Sequence, residues 1–538
     1  MKPILFFFGF VFSIASYSQE HAWVFFTDKE DVVKSLSKPE SILSIRAIDR
    51  KHQYGIKIDE RDVPVTENYI QIIKSQPGIV YRAKSKWFNC VHLTGTREAI
   101  SALQELPFVS HISFADRNLN LSAREVFSDE VGVVGRDKNT LVDFPYGNTQ
   151  GQIALIKTNQ LHSIGFKGEG MLVAVLDAGF PNVNTLDAFQ YLRDHGRLVG
   201  GYNFVKRDAD FANVSLNSHG TRVLSTMAAN LPGTYVGSAP DAAYVLYVTE
   251  DVDSESPVEE SYWVEAVERA DSLGVNIINT SLGYTTFDQS RFNYLQTEMD
   301  GTSTFISRGA NVATEKGLLV VNSAGNSGNS SWGIITAPAD ANVFTVGAVD
   351  MYGNYASFSS RGPTTDGRIK PDVMAQGIQT AVINQNGVIV GNNGTSFASP
   401  IIAGSMACLW QAMPEKTNLE LMEIVRASAS LYSNPSVEMG YGIPDFLEAY
   451  YGELDEGSLF LEEVGWFPNP TSDLVTIQTS VGNRILGCKV YNLTGALILS
   501  NDVVAKEVEL DLTHHPKGIY FVEVYLNQKT ITLKIIKD

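Results

Sequence analysis

Between about residues 150 and 452, short apolar runs alternate with stretches of helical spacing, and this alternation is the strongest constraint on the fold. The runs 171–176, 243–248, 275–278, 318–321 and 343–346 are aliphatic and rich in β-branched residues, as strands buried on both faces must be. Helical spacing fills 262–272 and 303–316 between them. Strands separated in this way by helices pair in parallel and are covered on both sides, which predicts a doubly wound α/β domain. In such sheets functional groups gather at the carboxyl ends of the strands.

With 538 residues the chain exceeds what one hydrophobic core supports, roughly 250 to 300 residues, so two or three domains are expected. Residues 21–117 predict a small α+β unit: a strand at 22–27, helical stretches at 41–51 and 69–75, a strand pair within 78–93, a helix at 96–105 and a strand at 109–114. Residues 121–149 are polar, mixed in charge and aperiodic, a linker pattern. An acidic linker, 453–465, precedes 466–538, where alternating runs at 490–493, 496–499, 508–512 and 519–525 predict a small β-sandwich. At the N-terminus, Lys2, the apolar run 4–14 and small residues up to Ser18 form a secretory signal, 1–18, too short to serve as a membrane span. No later stretch is a transmembrane candidate, so none is expected in the mature chain. A net charge of −19 offers no basic footprint for a phosphate backbone, which excludes nucleic acid as the expected partner. Cys90, Cys408 and Cys488 fall one to each folded segment, so no disulfide can form within a segment, and each reads as a buried thiol.

Four elements carry chemistry. The run 171–176 ends in Asp177-Ala178-Gly179, which puts a carboxylate at a strand's carboxyl end. Ser218-His219-Gly220-Thr221 opens a helical stretch. Asn322-Ser323-Ala324-Gly325-Asn326 follows the run 318–321. Gly394-Thr395-Ser396-Phe397-Ala398-Ser399-Pro400 leads into an apolar helix, where backbone N–H groups favour developing negative charge. Each has a plain structural reading: a turn-forming Asp, a structural His, a polar residue in a Gly-rich turn, a helix cap at Thr395 or Ser396. Taken together they describe acyl transfer, with Ser396 as nucleophile, His219 as general base and acid, Asp177 as orienting carboxylate and Asn326 as oxyanion donor.

The order of these motifs and their local contexts resemble the subtilisin-like serine proteases, the subtilases. Further matching stretches are Asn279-Thr280-Ser281-Leu282-Gly283, Val346-Gly347-Ala348-Val349-Asp350 and Phe358-Ser359-Ser360-Arg361-Gly362-Pro363. The resemblance covers about 150–450 and implies a serine endopeptidase with no metal or cofactor required at its catalytic centre. It further implies that Ser281, Leu282 and Gly283 pair with an extended substrate, and that Ala324 and Gly325, with residues near Thr336 to Pro338, wall the pocket before the scissile bond. Ala178, Arg222, Phe397 and Ile401 depart from the family's usual residues without removing a reacting group. Residues 19–120 resemble the inhibitory propeptides of subtilases, small ferredoxin-like units, which implies an intramolecular inhibitor cut away within 118–148. Through Pro468-Asn469-Pro470, Val490-Tyr491-Asn492-Leu493-Thr494-Gly495, Gly518-Ile519-Tyr520 and a basic end, the C-terminal segment resembles the sorting domain of the type IX secretion system. Release outside the cell or attachment to the outer-membrane surface is the implied destination.

Other readings compete. Gly165-Phe166-Lys167-Gly168-Glu169-Gly170 precedes its strand and reads as a turn, not a nucleotide loop. Asp208 with Asp210, and Asp251 with Asp253, are calcium-ligand candidates in incomplete loops, against solvated charge as the plainer account. A catalytically silent surface binding protein on the same fold, and an esterase using the same triad, are the functional alternatives.

Overall fold

The computed structural model describes residues 19–120, 145–456, 464–479, 484–501, 504–526 and 530–538. The expected signal, 1–18, and most of the expected processing linker lie outside them. Strand β1 (Glu20–Phe26) shows how period-two alternation builds the N-terminal unit. Ala22, Val24 and Phe26 point into a core with Ile70, Ile73, Val91 and Leu93, while Trp23 points the opposite way. Helices α1 (Ile45–Gln53) and α2 (Glu67–Lys74) follow, then β2 (Ile79–Ser85), β3 (Cys90–Gly95) and β4 (Val109–Phe114). The four strands pair antiparallel in the order β2-β3-β1-β4, with β3 buried throughout.

The central segment contains β5 (Leu172–Asp177), β6 (Leu198–Asn203), β7 (Ala243–Val248), β8 (Ile277–Thr280), β9 (Leu319–Ser323), β10 (Phe344–Val349) and β11 (Val373–Gln376). They form one seven-stranded sheet in the order β11-β10-β9-β8-β5-β7-β6. Every pairing in it is parallel. From β5 the chain runs to the edge strand β6, returns to β7 at one side of β5, and then crosses to β8 on its other side. The winding therefore reverses at β5, and the crevice at a reversal opens beyond the carboxyl ends of the strands. Helices α3 (His219–Ala228), α4 (Val258–Leu273), α5 (Phe305–Glu315) and α6 (Thr395–Ala412) cover the sheet. Helix α6 is apolar all round and buried along almost its whole length, as a helix with no solvent face must be.

Trp23, Ala83, Trp87 and Cys90 of the N-terminal unit pack into the same core as Tyr262 and Trp263 of α4 and Phe305 of α5. Polar groups complete the contact. Glu268 accepts hydrogen bonds from the Lys86 and Trp87 N–H groups at 2.9 and 3.0 Å, and Ser261 Oγ receives Trp23 Nε1 at 2.8 Å. A buried ionic network runs beside them: Lys51 lies 2.9 Å from Asp271 and 3.3 Å from Asp62, and Asp62 lies 2.8 Å from Lys316.

Compactness divides the chain into a unit ending at Ala449 and a second beginning at Tyr450. In the second, strands Val464–Phe467, Leu474–Thr479 and Glu507–Asp511 form one antiparallel sheet. Strands Ile485–Asn492, Leu497–Asn501, Gly518–Leu526 and Thr530–Lys537 form another. Val475, Ile477, Val490, Leu510, Val522 and Leu533 share a core between them, so the expected sandwich is present. Helix Phe446–Glu456 runs into the start of the expected acidic linker. All three cysteines are free and buried, and no helix among the described residues is long and apolar enough to cross a membrane.

Candidate active site

Asp177 is the last residue of β5, fully buried at the reversal of the sheet. Glycines let α3 approach it closely. A Cβ on Gly220 would stand 2.5 Å from the Gly179 carbonyl oxygen and 2.9 Å from the Asp177 Cβ, so a side chain there would push the helix off the strand end. His219 opens that helix, and its Nδ1 lies 2.9 and 3.0 Å from the two Asp177 oxygens. The carboxylate only accepts, so Nδ1 carries the proton and Nε2 is left as the basic nitrogen. Burial opposes charging this imidazole, but the charge of Asp177 and its hydrogen bond outweigh burial, and the pKa is raised above the ordinary 6.5.

Ser396 is the second residue of α6. Gly394 holds the cap position, so the capping role open to Thr395 or Ser396 is filled by neither. Pro400 stands four residues after Ser396 and has no N–H, so the Ser396 carbonyl lacks its helical donor. Ser281 Oγ supplies one instead at 2.9 Å, while Ser399 Oγ donates to Asn279 Oδ1 at 3.1 Å. Two motifs distant in sequence are thereby tied at the serine. The Ser396 hydroxyl donates to the Ser281 carbonyl at 3.3 Å, and no hydrogen bond joins it to His219. The His219 ring lies 5.5 Å from that of Phe397, the residue after the serine.

Asn326 Oδ1 accepts the Thr395 N–H at 2.9 Å and the Thr395 hydroxyl at 3.0 Å. With Oδ1 engaged twice, the amide is held in one orientation and its Nδ2 donors are left without a partner among the described residues. Thr395, which the sequence offered only as a helix cap, instead orients Asn326. Gly283 and Gly325 both face Thr336: a Cβ on the first would fall 2.1 Å from Thr336 Oγ1, and one on the second 3.0 Å from its Cγ2. The 281–283 stretch, the Ala324-Gly325 turn and the Thr336 loop therefore meet at one place, with Ala324, Ile335 and Ala339 packed together behind them. Leu282 is half-buried and Gly283 exposed, as residues offered to a ligand should be.

Sequence reasoning missed Glu250, two residues past the end of β7. Its pKa is pushed up to about 7 by burial first, with the negative charges of Glu255 and Asp177 adding to it and hydrogen bonds from Tyr284 and Thr249 opposing. Its position at a strand's carboxyl end is the signal that marks it. Asp208 Oδ1 and Asp251 Oδ1 accept N–H groups of their own loops, from Asp210 and Asp253 at 2.9 and 3.4 Å.

A buried carboxylate on an imidazole at the reversal of a doubly wound sheet, with a serine at a helix N-terminus beside them, defines the class of triad serine hydrolases. Comparison with known proteins narrows it, for residues 168–442 match the subtilase family and the chain belongs to that family. Residues 21–130 match the peptidase S8 propeptide domain of Bacteroidota, and 466–538 a secretion system C-terminal sorting domain. Subtilisin DY of Bacillus licheniformis is 33% identical over 274 residues, covering 50% of this chain and 85% of its own. A thermostable alkaline protease of Halalkalibacterium halodurans is 31% identical over 292 residues, covering 53% and 69%. Subtilisin E of Bacillus subtilis is 28% identical over 367 residues, covering 67% and 80%. The chain is a secreted serine endopeptidase made with a propeptide and a sorting domain.

Proposed function

We propose that the enzyme cleaves polypeptides through an acyl-enzyme on Ser396, with His219, Asp177 and Asn326 in the roles their positions suit. The observation that carries this reading is the His219–Asp177 pair, whose Nδ1 proton is held by the carboxylate so that Nε2 is free to take the serine proton. In the resting chain the hydroxyl points to the Ser281 carbonyl, and rotation about the Ser396 side-chain bond brings it to His219. Attack forms the tetrahedral intermediate, whose oxyanion is held by Asn326 Nδ2 and the Ser396 N–H, one of the first-turn donors that a helix leaves unpaired. His219 then gives the proton to the leaving amine, and water repeats the cycle on the ester. Ser281, Leu282 and Gly283 pair with the extended substrate, and Ala324 and Gly325 wall the pocket for the residue before the cut.

The N-terminal unit acts as an intramolecular inhibitor until the chain cuts itself, and the C-terminal sandwich directs export through type IX machinery. A fluorophosphonate probe tests the central step. Labelling of the processed protein that is lost in Ser396→Ala supports it, and a correctly processed wild type that takes no label would sink it.

A further inference from the structure

Arg117, at the end of the propeptide unit, is held by the catalytic segment in a cradle of three kinds. Its Nε lies 3.1 Å from Glu298 Oε1, its Nη2 donates to the Asn293 carbonyl, and its guanidinium lies over the Tyr294 ring, 4.9 Å from the centroid. A carboxylate, a carbonyl acceptor and an aromatic face are the three groups a planar guanidinium engages at once, and an ammonium would satisfy fewer of them. Glu260 lies behind, fully buried, with both carboxylate oxygens unpaired by any hydrogen bond of ordinary geometry. Burial disfavours its charge, and the Tyr294 hydroxyl, the Arg308 charge, the Ile306 N–H and the Arg117 charge oppose that.

All of these groups except Arg117 remain when the propeptide is cut away. Asn293, Tyr294 and Glu298 sit on the loop that prolongs the substrate edge beyond Gly283, with Glu260 on α4 and Arg308 on α5 behind it: the Tyr284 N–H donates to the Ala337 carbonyl beside the pocket wall, and the Tyr294 N–H to the Thr285 carbonyl, both at 2.8 Å. Arg117 itself precedes the segment in which the chain is expected to be cut.

We propose that this cradle, vacated when the propeptide leaves, is a subsite for an arginine side chain of the polypeptide substrate, N-terminal to the scissile bond. The inference rests on the endopeptidase reading above and adds a substrate class to it. Glu298 carries the charge recognition. Its Oε2 also accepts the Leu295 N–H at 2.7 Å, so glutamine, which keeps an acceptor there, is the substitution that removes charge with least damage to the loop.

The test uses the processed enzyme on quenched fluorescent peptides that carry arginine, lysine, citrulline or alanine at successive positions upstream of the cleaved bond. At one position arginine should exceed citrulline about tenfold in kcat/KM, the worth of one charge-assisted contact, with lysine between them. Glu298→Gln and, independently, Tyr294→Leu should shrink that ratio by lowering kcat/KM for the arginine peptide more than for the citrulline peptide. Equal rates for arginine and citrulline at every position would overturn the inference, as would a ratio that survives both substitutions. Peptides that are cleaved without such a preference leave the endopeptidase reading standing. A processed wild type that cleaves none of them brings down that reading and this inference together.

Discussion

Asn326 shows how a single side chain acquires a direction. Its oxygen is taken by the Thr395 N–H and hydroxyl, so what remains to face a substrate is a donor. Asn326→Ala should lower kcat by about 10² to 10³ with little change in KM, a magnitude established on subtilisin itself; unchanged turnover in steady-state assays would remove it from the site. His219 gives the pH dependence. Its raised pKa means that kcat/KM falls as pH drops through a midpoint above 6.5, because the protonated ring cannot act as a base. The same pair contributes stability that is fully present below pH 6.5 and is lost as pH rises through the raised value. Asp177→Asn should shift the acid limb downward and cost about 10⁴ in kcat; a pH profile with an unmoved midpoint would contradict the pairing. The four candidate positions stand out in the sequence because each lies at or just beyond the end of a strand or helix with glycine close by. The tie to Ser281 does not, since it joins residues far apart in sequence: Ser281 Oγ donates to the Ser396 carbonyl that Pro400 leaves without a helical donor.

At the level of elements, the ionic network between the N-terminal unit and the catalytic segment makes the sharpest prediction. Lys51 has no exposed surface and lies between Asp62 of its own unit and Asp271 of α4. Lys51→Met keeps the bulk but leaves two buried carboxylates short of a cation, which should cost about 3–5 kcal/mol. Denaturant unfolding of the uncut Ser396→Ala chain measures it, and an unshifted midpoint would mean that water already reaches the network. Buried elements were the most legible. Strand 243–248 lies where its apolar run puts it, and α6 contains the largely apolar stretch 401–412. Edge strand β6, Leu-Val-Gly-Gly-Tyr-Asn, was not recognised, because two glycines and a mostly half-buried surface erase the pattern on which recognition depends. Arg117 was likewise hidden, an ordinary charge until the fold sets it against Tyr294, whereas Glu250 could have been found from its place just past a buried strand.

For the whole molecule, the scheme requires the catalytic segment to make its own first cut. The full chain bearing Ser396→Ala should therefore keep its N-terminal unit attached, and intact-mass measurement after secretion checks this; a processed variant would show that another protease does the work. Cutting has a further consequence for where the sulfur lies. Cys90, Cys408 and Cys488 are distributed one to each module, and each thiol is free and buried, Cys90 in the core that its unit shares with the catalytic segment. A bridge between any two would leave the severed pieces tethered, with the inhibitor or the export tag still dragging behind the enzyme. Because no disulfide joins the modules, a hydrolysed backbone bond would leave only non-covalent contacts to hold a severed module.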